Sequence, residues 1–421
     1  MALRQVKVCD LLARCSSPLT RPKNAAALVS VEGRRNLTMN PDYKKPFPYK
    51  TKKFNILRAI FDFTVSRLNE NSRIVMIEGP PCVGKSEFAK NLAHRFNLLH
   101  IPGVTETDLF TVNGFDLRQL NEMMPSPKMK KFDLQDFYSE NNPELFYNFG
   151  RTQIDFFEMR SRQYVQALRH VLNTGQGVVL ENNVWGDANY ALNMADFGYF
   201  SKNGIKWYMH NRKNTLNFYW KPHLIIYLDA PSSYVVENLK AKHPEYEGSP
   251  ALTEKFFDGL KDKYQKFYLP YMSKYMEILN YDARKLEEFD LLALDLEGLD
   301  LISRYGDLKF EDWRRDMEED WTFYRLSIGN DAHTRGKTQW RLPLDCPELM
   351  MNGEENRAYQ NICLMFPQLA LPEEYWYDKQ GNFIERPELN DPTPLSLASE
   401  SELAQGVLEA GPKAQAIEGA K

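Results

Sequence analysis

Five short runs read as strands along the chain: Ile74–Ile77, Leu98–Pro102, Gly177–Glu181, Pro222–Asp229, the most continuously apolar, and Met276–Tyr281, which Glu277 and Asn280 interrupt. Continuous apolar runs of this length predict strands buried on both faces, as in a parallel sheet. Between them the apolar positions recur at helical spacing. Arg151–Asn173 presents Ile154, Phe157, Tyr164, Leu168 and Leu172 and stops at Gly175; Glu87–Phe96, Asp187–Tyr199 and Thr253–Tyr275 read the same way, with a further helix after Glu287. Phe54–Leu68 (Ile56, Ile60, Phe61, Phe63, Val65, Leu68) predicts a first helix packed on the domain. Alternating strand and helix signals predict an α/β fold, a parallel sheet with helices on both faces, spanning residues 54–303.

Other stretches lack that periodicity. Thr105–Glu144 is long, acidic and aromatic, and loops of such length are usually functional or interaction segments. Residues 304–390, rich in Trp, Tyr, Pro and charge, predict an irregular C-terminal extension, read as a partner surface or as a small subdomain on its own core. Residues 391–421, without an aromatic residue, predict a disordered tail. Residues 37–53 form a basic, proline-rich lead-in, and prolines keep it extended. Residues 1–36 are Arg-rich, acid-poor and apolar-interspersed, the signature of a mitochondrial presequence.

Composition narrows the function. At 421 residues, 43% hydrophobic and 26% charged, the chain can bury a sizeable core. A net charge of −4 gives no footprint for nucleic acid. Cys9, Cys15, Cys82, Cys346 and Cys363 form no paired framework and no C-x-x-C, which argues against a disulfide scaffold, a zinc site or an iron–sulfur ligand set. No run reaches the roughly 18 apolar residues of a membrane span. The expectation is a soluble chain, or one that docks on a membrane assembly.

The sharpest chemical signal follows the first strand. Gly79-Pro-Pro-Cys-Val-Gly84-Lys85-Ser86 fits G-x-x-x-x-G-K-[ST] between a strand and a helix. Gly79 and Gly84 permit close phosphate approach, the loop amides and helix N-terminus face an anion, Lys85 adds a positive charge, and the Ser86 hydroxyl suits Mg²⁺. A dinucleotide G-x-G-x-x-G fingerprint is absent from the sequence.

The P-loop, Gln153 on the central helix, Glu181 at a strand end and a late strand ending in Asp229 stand in an order that resembles the deoxynucleoside kinase family. Within it, Pro48–Lys53, Tyr164–Glu181 and Lys221–Asp229 are similar to the kinase-like accessory subunits of mitochondrial respiratory complex I. The resemblance covers about Pro46 to Leu301. It implies a nucleotide (ATP, ADP or a deoxynucleotide) on Gly79, Gly84, Lys85 and Ser86, a nucleoside at Gln153 and Asp187, and Mg²⁺ at Ser86 and Glu181. It also implies a mitochondrial location on the matrix side of the inner membrane, with the other complex I subunits as partners. FAD has been associated with these subunits, but the chain carries no flavin motif.

The departures from the kinases bear on catalysis. Their strand-end Glu-Arg-Ser is here Glu181-Asn182-Asn183, so the guanidinium fork is missing. Their general-base Glu after the second strand is here Gly103, leaving Glu106 and Glu181 as the remaining catalytic candidates. The lid segment Val235–Gly248 offers Lys240, Lys242 and His243 but no Arg. Phosphoryl transfer depends on positioning and charge stabilisation, and a missing general base typically costs about 10²–10⁴ in rate. Two functions stay open: an accessory complex I subunit that keeps a kinase-like nucleotide fold without efficient catalysis, and an active mitochondrial deoxynucleoside kinase.

Overall fold

The computed structural model describes residues 37–38, 43–112, 114–140, 142–246, 248–330, 343 and 345–366. The expected presequence (1–36) and tail (391–421) lie outside these residues, as do residues 331–342, 344 and 367–390 of the C-terminal extension.

The five runs form one parallel sheet: β1 (Ile74–Glu78), β2 (Leu99–Ile101), β3 (Val178–Glu181), β4 (Leu224–Asp229) and β5 (Glu277–Asp282), in the order β2-β3-β1-β4-β5. Ile74 pairs with Val178, and Val75 with Leu224, so β1 sits at the centre, and every residue of β1 and β3 is buried. Parallel strands leave all carboxyl ends on one edge, and the chain leaving β1 there lies in the crevice where such sheets bind ligands.

Helices cover both faces: α1 (Lys85–Arg95), α2 (Phe146–Thr174), α3 (Asp187–Asp196), α4 (Lys202–Leu216), α5 (Ser232–Lys242), α6 (Glu254–Asp262) and α7 (Phe289–Glu297). The 29-residue α2, about 43 Å long, begins one turn before its predicted start and ends where Gly175 turns left-handed at φ 79°. A side chain at Gly175 would collide with the Arg67 carbonyl. The helix predicted over Thr253–Tyr275 continues past α6 through a π-helical turn, Lys263–Tyr268, into Leu269–Met272. Among the described residues no helix is long and apolar enough to cross a membrane.

Two expectations change. Phe54–Leu68 is not one helix: it forms a single turn, Ile56–Ala59, and a 3-10 turn, Val65–Arg67, and leaves Ile56, Ile60, Phe61 and Phe63 exposed. Helical spacing there does not report a buried face.

Thr105–Glu144 is not an irregular loop. It contains a capped helix (Glu106–Phe110), a hairpin (Thr111–Val112 with Phe115–Asp116), 3-10 turns and a second capped helix (Leu134–Ser139). Its apolar residues Val112, Phe115, Leu117 and Leu120 close a small core with Tyr359, Ile362 and Cys363 of α9 (Gly353–Met365).

In the described part of the C-terminal extension several aromatic residues pack within the chain, while Tyr305 and Phe323 stay exposed. Trp313, and Trp321 and Tyr324 of α8 (Glu318–Ile328), gather around Trp220, with Tyr324 stacked on it at 3.9 Å.

Candidate functional site: a P-loop with an altered catalytic edge

Two glycines shape the phosphate loop. Gly79 has φ 146°, and a side chain there would come within 2.6 Å of the Leu228 carbonyl on β4; Gly84, at φ 86°, opens α1. Cys82 also adopts a left-handed conformation (φ 58°), and its carbonyl accepts a 3.2 Å bond from Asn238 of α5, tying the lid helix to the loop. The Lys85 ammonium donates to the carbonyls of Gly79 (3.1 Å) and Pro80, and burial lowers its pKa to about 8.

Ser86 and Glu181 meet at the carboxyl edge. The Ser86 hydroxyl donates to Glu181 Oε2 at 2.5 Å, and His100 Nε2 of β2 lies 2.6 Å from Oε1. A hydroxyl and a carboxylate this close are hard oxygen ligands suited to Mg²⁺, so the donor set fits that ion. His100 was not among the sequence candidates; its alignment with Val179 in the β2–β3 register is what delivers it, and one sequence does not reveal register.

A second cluster lies behind the loop. The Asp187 carboxylate is buried and accepts from Gln153 (2.9 Å), Tyr208 (2.5 Å) and the Arg160 guanidinium. Gln153 and Asp187, predicted as a nucleoside pair, are thus in direct contact. Arg160, missed from the sequence, lies over the rings of Phe156 and Tyr190, and Tyr190 donates to the Gly79 carbonyl at 3.0 Å. Its seven-residue spacing from Gln153, two helical turns on the same face, was the available signal.

Glu78, the last residue of β1, is the third buried acid. Tyr264, from the π-helical turn, donates to it at 2.9 Å and Asn183 at 2.9 Å, while burial pushes its pKa up to about 7. At Gly186 a side chain would reach the Glu78 carboxylate at 2.5 Å and would have to displace it.

The expected catalytic acids stand apart. A side chain at Gly103 would begin 3.6 Å from the Glu181 Cβ, so the position faces the metal-side carboxylate with nothing on it. Glu106 instead accepts from the Leu134 amide in the insertion, where burial raises its pKa. Asn182, in a left-handed conformation (φ 43°), leaves its side-chain oxygen without a hydrogen-bond partner. In the lid, Lys240 and Lys242 are exposed, and His243 stacks on Tyr246, which in turn stacks on Tyr138 of the insertion at 4.6 Å.

Comparison with known proteins gives this arrangement a family. The mouse protein named NADH dehydrogenase [ubiquinone] 1 alpha subcomplex subunit 10, mitochondrial, is 29% identical over 313 residues, 73% of this chain and 82% of the relative. The rat protein of the same name is 27% identical over 315 residues, 74% of this chain and 83% of the relative. A structure of deoxyadenosine kinase from M. mycoides with bound dCTP aligns over 54% of this chain and all of its own, with a TM-score of 0.40 at 14% identity. The deoxynucleoside kinase family model matches residues 75–302, which takes in every strand of the sheet and more than half the chain. By that match and by its P-loop, the chain belongs to the deoxynucleoside kinase family.

Proposed function

We propose that this protein is an accessory, non-electron-carrying subunit of mitochondrial NADH:ubiquinone oxidoreductase (complex I), facing the matrix, and that its kinase fold holds a nucleotide without efficient phosphoryl transfer. One observation carries the loss of catalysis: position 103, beside Glu181, has no side chain to accept a hydroxyl proton. Asn182 adds to it, because an amide supplies neither a permanent charge nor a forked contact for a transferring phosphoryl group. The names of the mouse and rat relatives, which match almost three quarters of the chain, support the assembly.

The parts for binding are intact. Loop amides and Lys85 would hold phosphates, and Ser86 and Glu181 would hold Mg²⁺, which would supply charge neutralisation. Gln153 places its amide nitrogen on Asp187, which leaves its carbonyl oxygen as the atom that would accept from a base amino group. These parts also favour the second reading, an active deoxynucleoside kinase.

Two measurements separate the readings. On native gels the protein is expected to migrate with the respiratory complex, carrying a nucleotide that survives purification without turning over. A free protein with steady ATP-dependent phosphorylation of a deoxynucleoside, abolished by Lys85→Ala, would overturn the proposal. In the other direction, Gly103→Glu with Asn182→Arg is expected to raise nucleoside phosphorylation at least tenfold over the unmodified chain. The glycine site meets only ordinary contact distances for a new Cβ, so a side chain can start from it.

A further inference from the structure

The stretch from Tyr43 to Phe63 is fixed to the domain on one side and projects apolar side chains on the other. Its inner anchors are Phe47 and Phe54, buried with rings 5.6 Å apart, and the Arg325 guanidinium lies 3.6 Å from the Phe54 ring centre. The Phe47 amide donates to the Asn173 carbonyl at 3.0 Å, and the Tyr49 hydroxyl meets His170 Nδ1 at 3.0 Å. Outward, Phe61 is 88% exposed, Leu57 69%, Ile60 and Phe63 53% each, and Ile56 44%. Leu57 and Phe61 border an open concavity of about 460 Å³.

Along residues 43–63 the exposed charges have one sign, and the nearest acid beyond the stretch, Glu318 of α8, accepts from the Thr64 and Val65 amides. Lys44, Lys45, Lys50, Lys52, Lys53 and Arg58 are all exposed. The single acid of the interval, Asp62, is taken by Arg67 and Arg325. This is a local reversal in a chain whose net charge is −4.

Residue type selects the occupant. The cores of protein–protein interfaces favour Arg and are depleted in Lys, whereas here lysines outnumber arginine five to one. Lysines beside projecting Phe, Leu and Ile are the composition of a segment at the boundary of an anionic bilayer, with ammonium groups at the phosphates and apolar tips below them. We propose that residues 43–63 form a docking surface for an anionic lipid bilayer, with Leu57 and Phe61 as the inserting side chains. The proposal does not depend on nucleotide binding or on membership of the respiratory complex, and its test involves neither.

The test is sedimentation of the purified full-length protein with phosphatidylcholine vesicles, with and without phosphatidylglycerol. Binding is expected on the anionic vesicles, weakening as salt rises. Reversing Lys50, Lys52 and Lys53 to Glu is expected to reduce partitioning by about 100-fold. Leu57→Ser with Phe61→Ser is expected to reduce it about tenfold or more, and because both sites are exposed the circular dichroism spectrum should not change. Failure to sediment with anionic vesicles overturns the proposal. So does binding that either variant leaves at the unmodified level, since another basic stretch or simple charge attraction would then be responsible. Variants that leave vesicle binding intact but drop out of a larger complex on native gels would assign the surface to a protein partner instead.

Discussion

Glu78 has its two carboxylate oxygens bonded and still keeps its proton to about pH 7, because burial outweighs both donors. A carboxyl group whose folded pKa lies above its unfolded one, near 4.5, binds more protons in the native state. Its contribution to stability is therefore present below the unfolded value and is lost as pH rises through the folded one. Thermal denaturation is accordingly expected to show a fall in Tm between about pH 5 and pH 7 that Glu78→Gln flattens. An unchanged pH profile in the variant would remove Glu78 as the cause. Lys85 works in the opposite direction. Its pKa is lowered by burial, so the cost of keeping it charged is relieved only as pH rises above about 8. At this scale the sequence was readable where a motif fixes backbone and side chain together, as at Gly79, Gly84, Lys85 and Ser86. It was unreadable where a partner arrives through register or helix phase. His100 reaches Glu181 only because β2 lies beside β3, and Tyr208 reaches Asp187 only because α4 packs beside α3.

The insertion between β2 and α2 shows the same division among elements. Its helices carry a local signal that apolar periodicity passes over, since Thr105 with Asp108 and Asp133 with Asp136 both form capping boxes. Its core does not, because the partners Tyr359 and Ile362 lie more than 200 residues away and no periodicity links them. The five strands of the main sheet were legible, whereas the two-residue strands of the hairpin Thr111–Asp116 were too short to show. The apolar spacing of Phe54–Leu68 misled for a physical reason: periodicity identifies an apolar face but not what covers it. The insertion also bears on access to the site. Tyr138 is buried against Tyr246 of the lid segment, so one aromatic stack joins the two flaps. Tyr138→Ala is expected to free the lid, seen as hydrogen exchange faster by about tenfold at the amides of residues 243–246, together with tighter binding of added nucleoside. Unchanged exchange would mean that the stack does not hold the lid.

Across the whole molecule, the N-terminal lead-in, the central helix and the C-terminal part meet at one side chain. Arg325 of α8 is fully buried; it donates to Asn173 of α2 (2.8 Å) and to Asp62 (3.0 Å) and lies on the ring of Phe54. Removing one partner of a buried ion pair strands the other, at a typical cost of about 3–5 kcal/mol. Urea denaturation of Arg325→Ala is expected to show a loss of that order, and a change under 1 kcal/mol would mean that the pair is effectively solvated. The family match ends at residue 302, so this residue lies beyond the conserved kinase unit and yet secures segments on both sides of it. The order of synthesis then matters. A chain emerging from a ribosome, or from a membrane pore, presents Phe47 and Phe54 some 270 residues before the guanidinium that covers them. Until residue 325 arrives, those rings lack the guanidinium that caps them, and a chain truncated just past the kinase unit is expected to leave them more exposed.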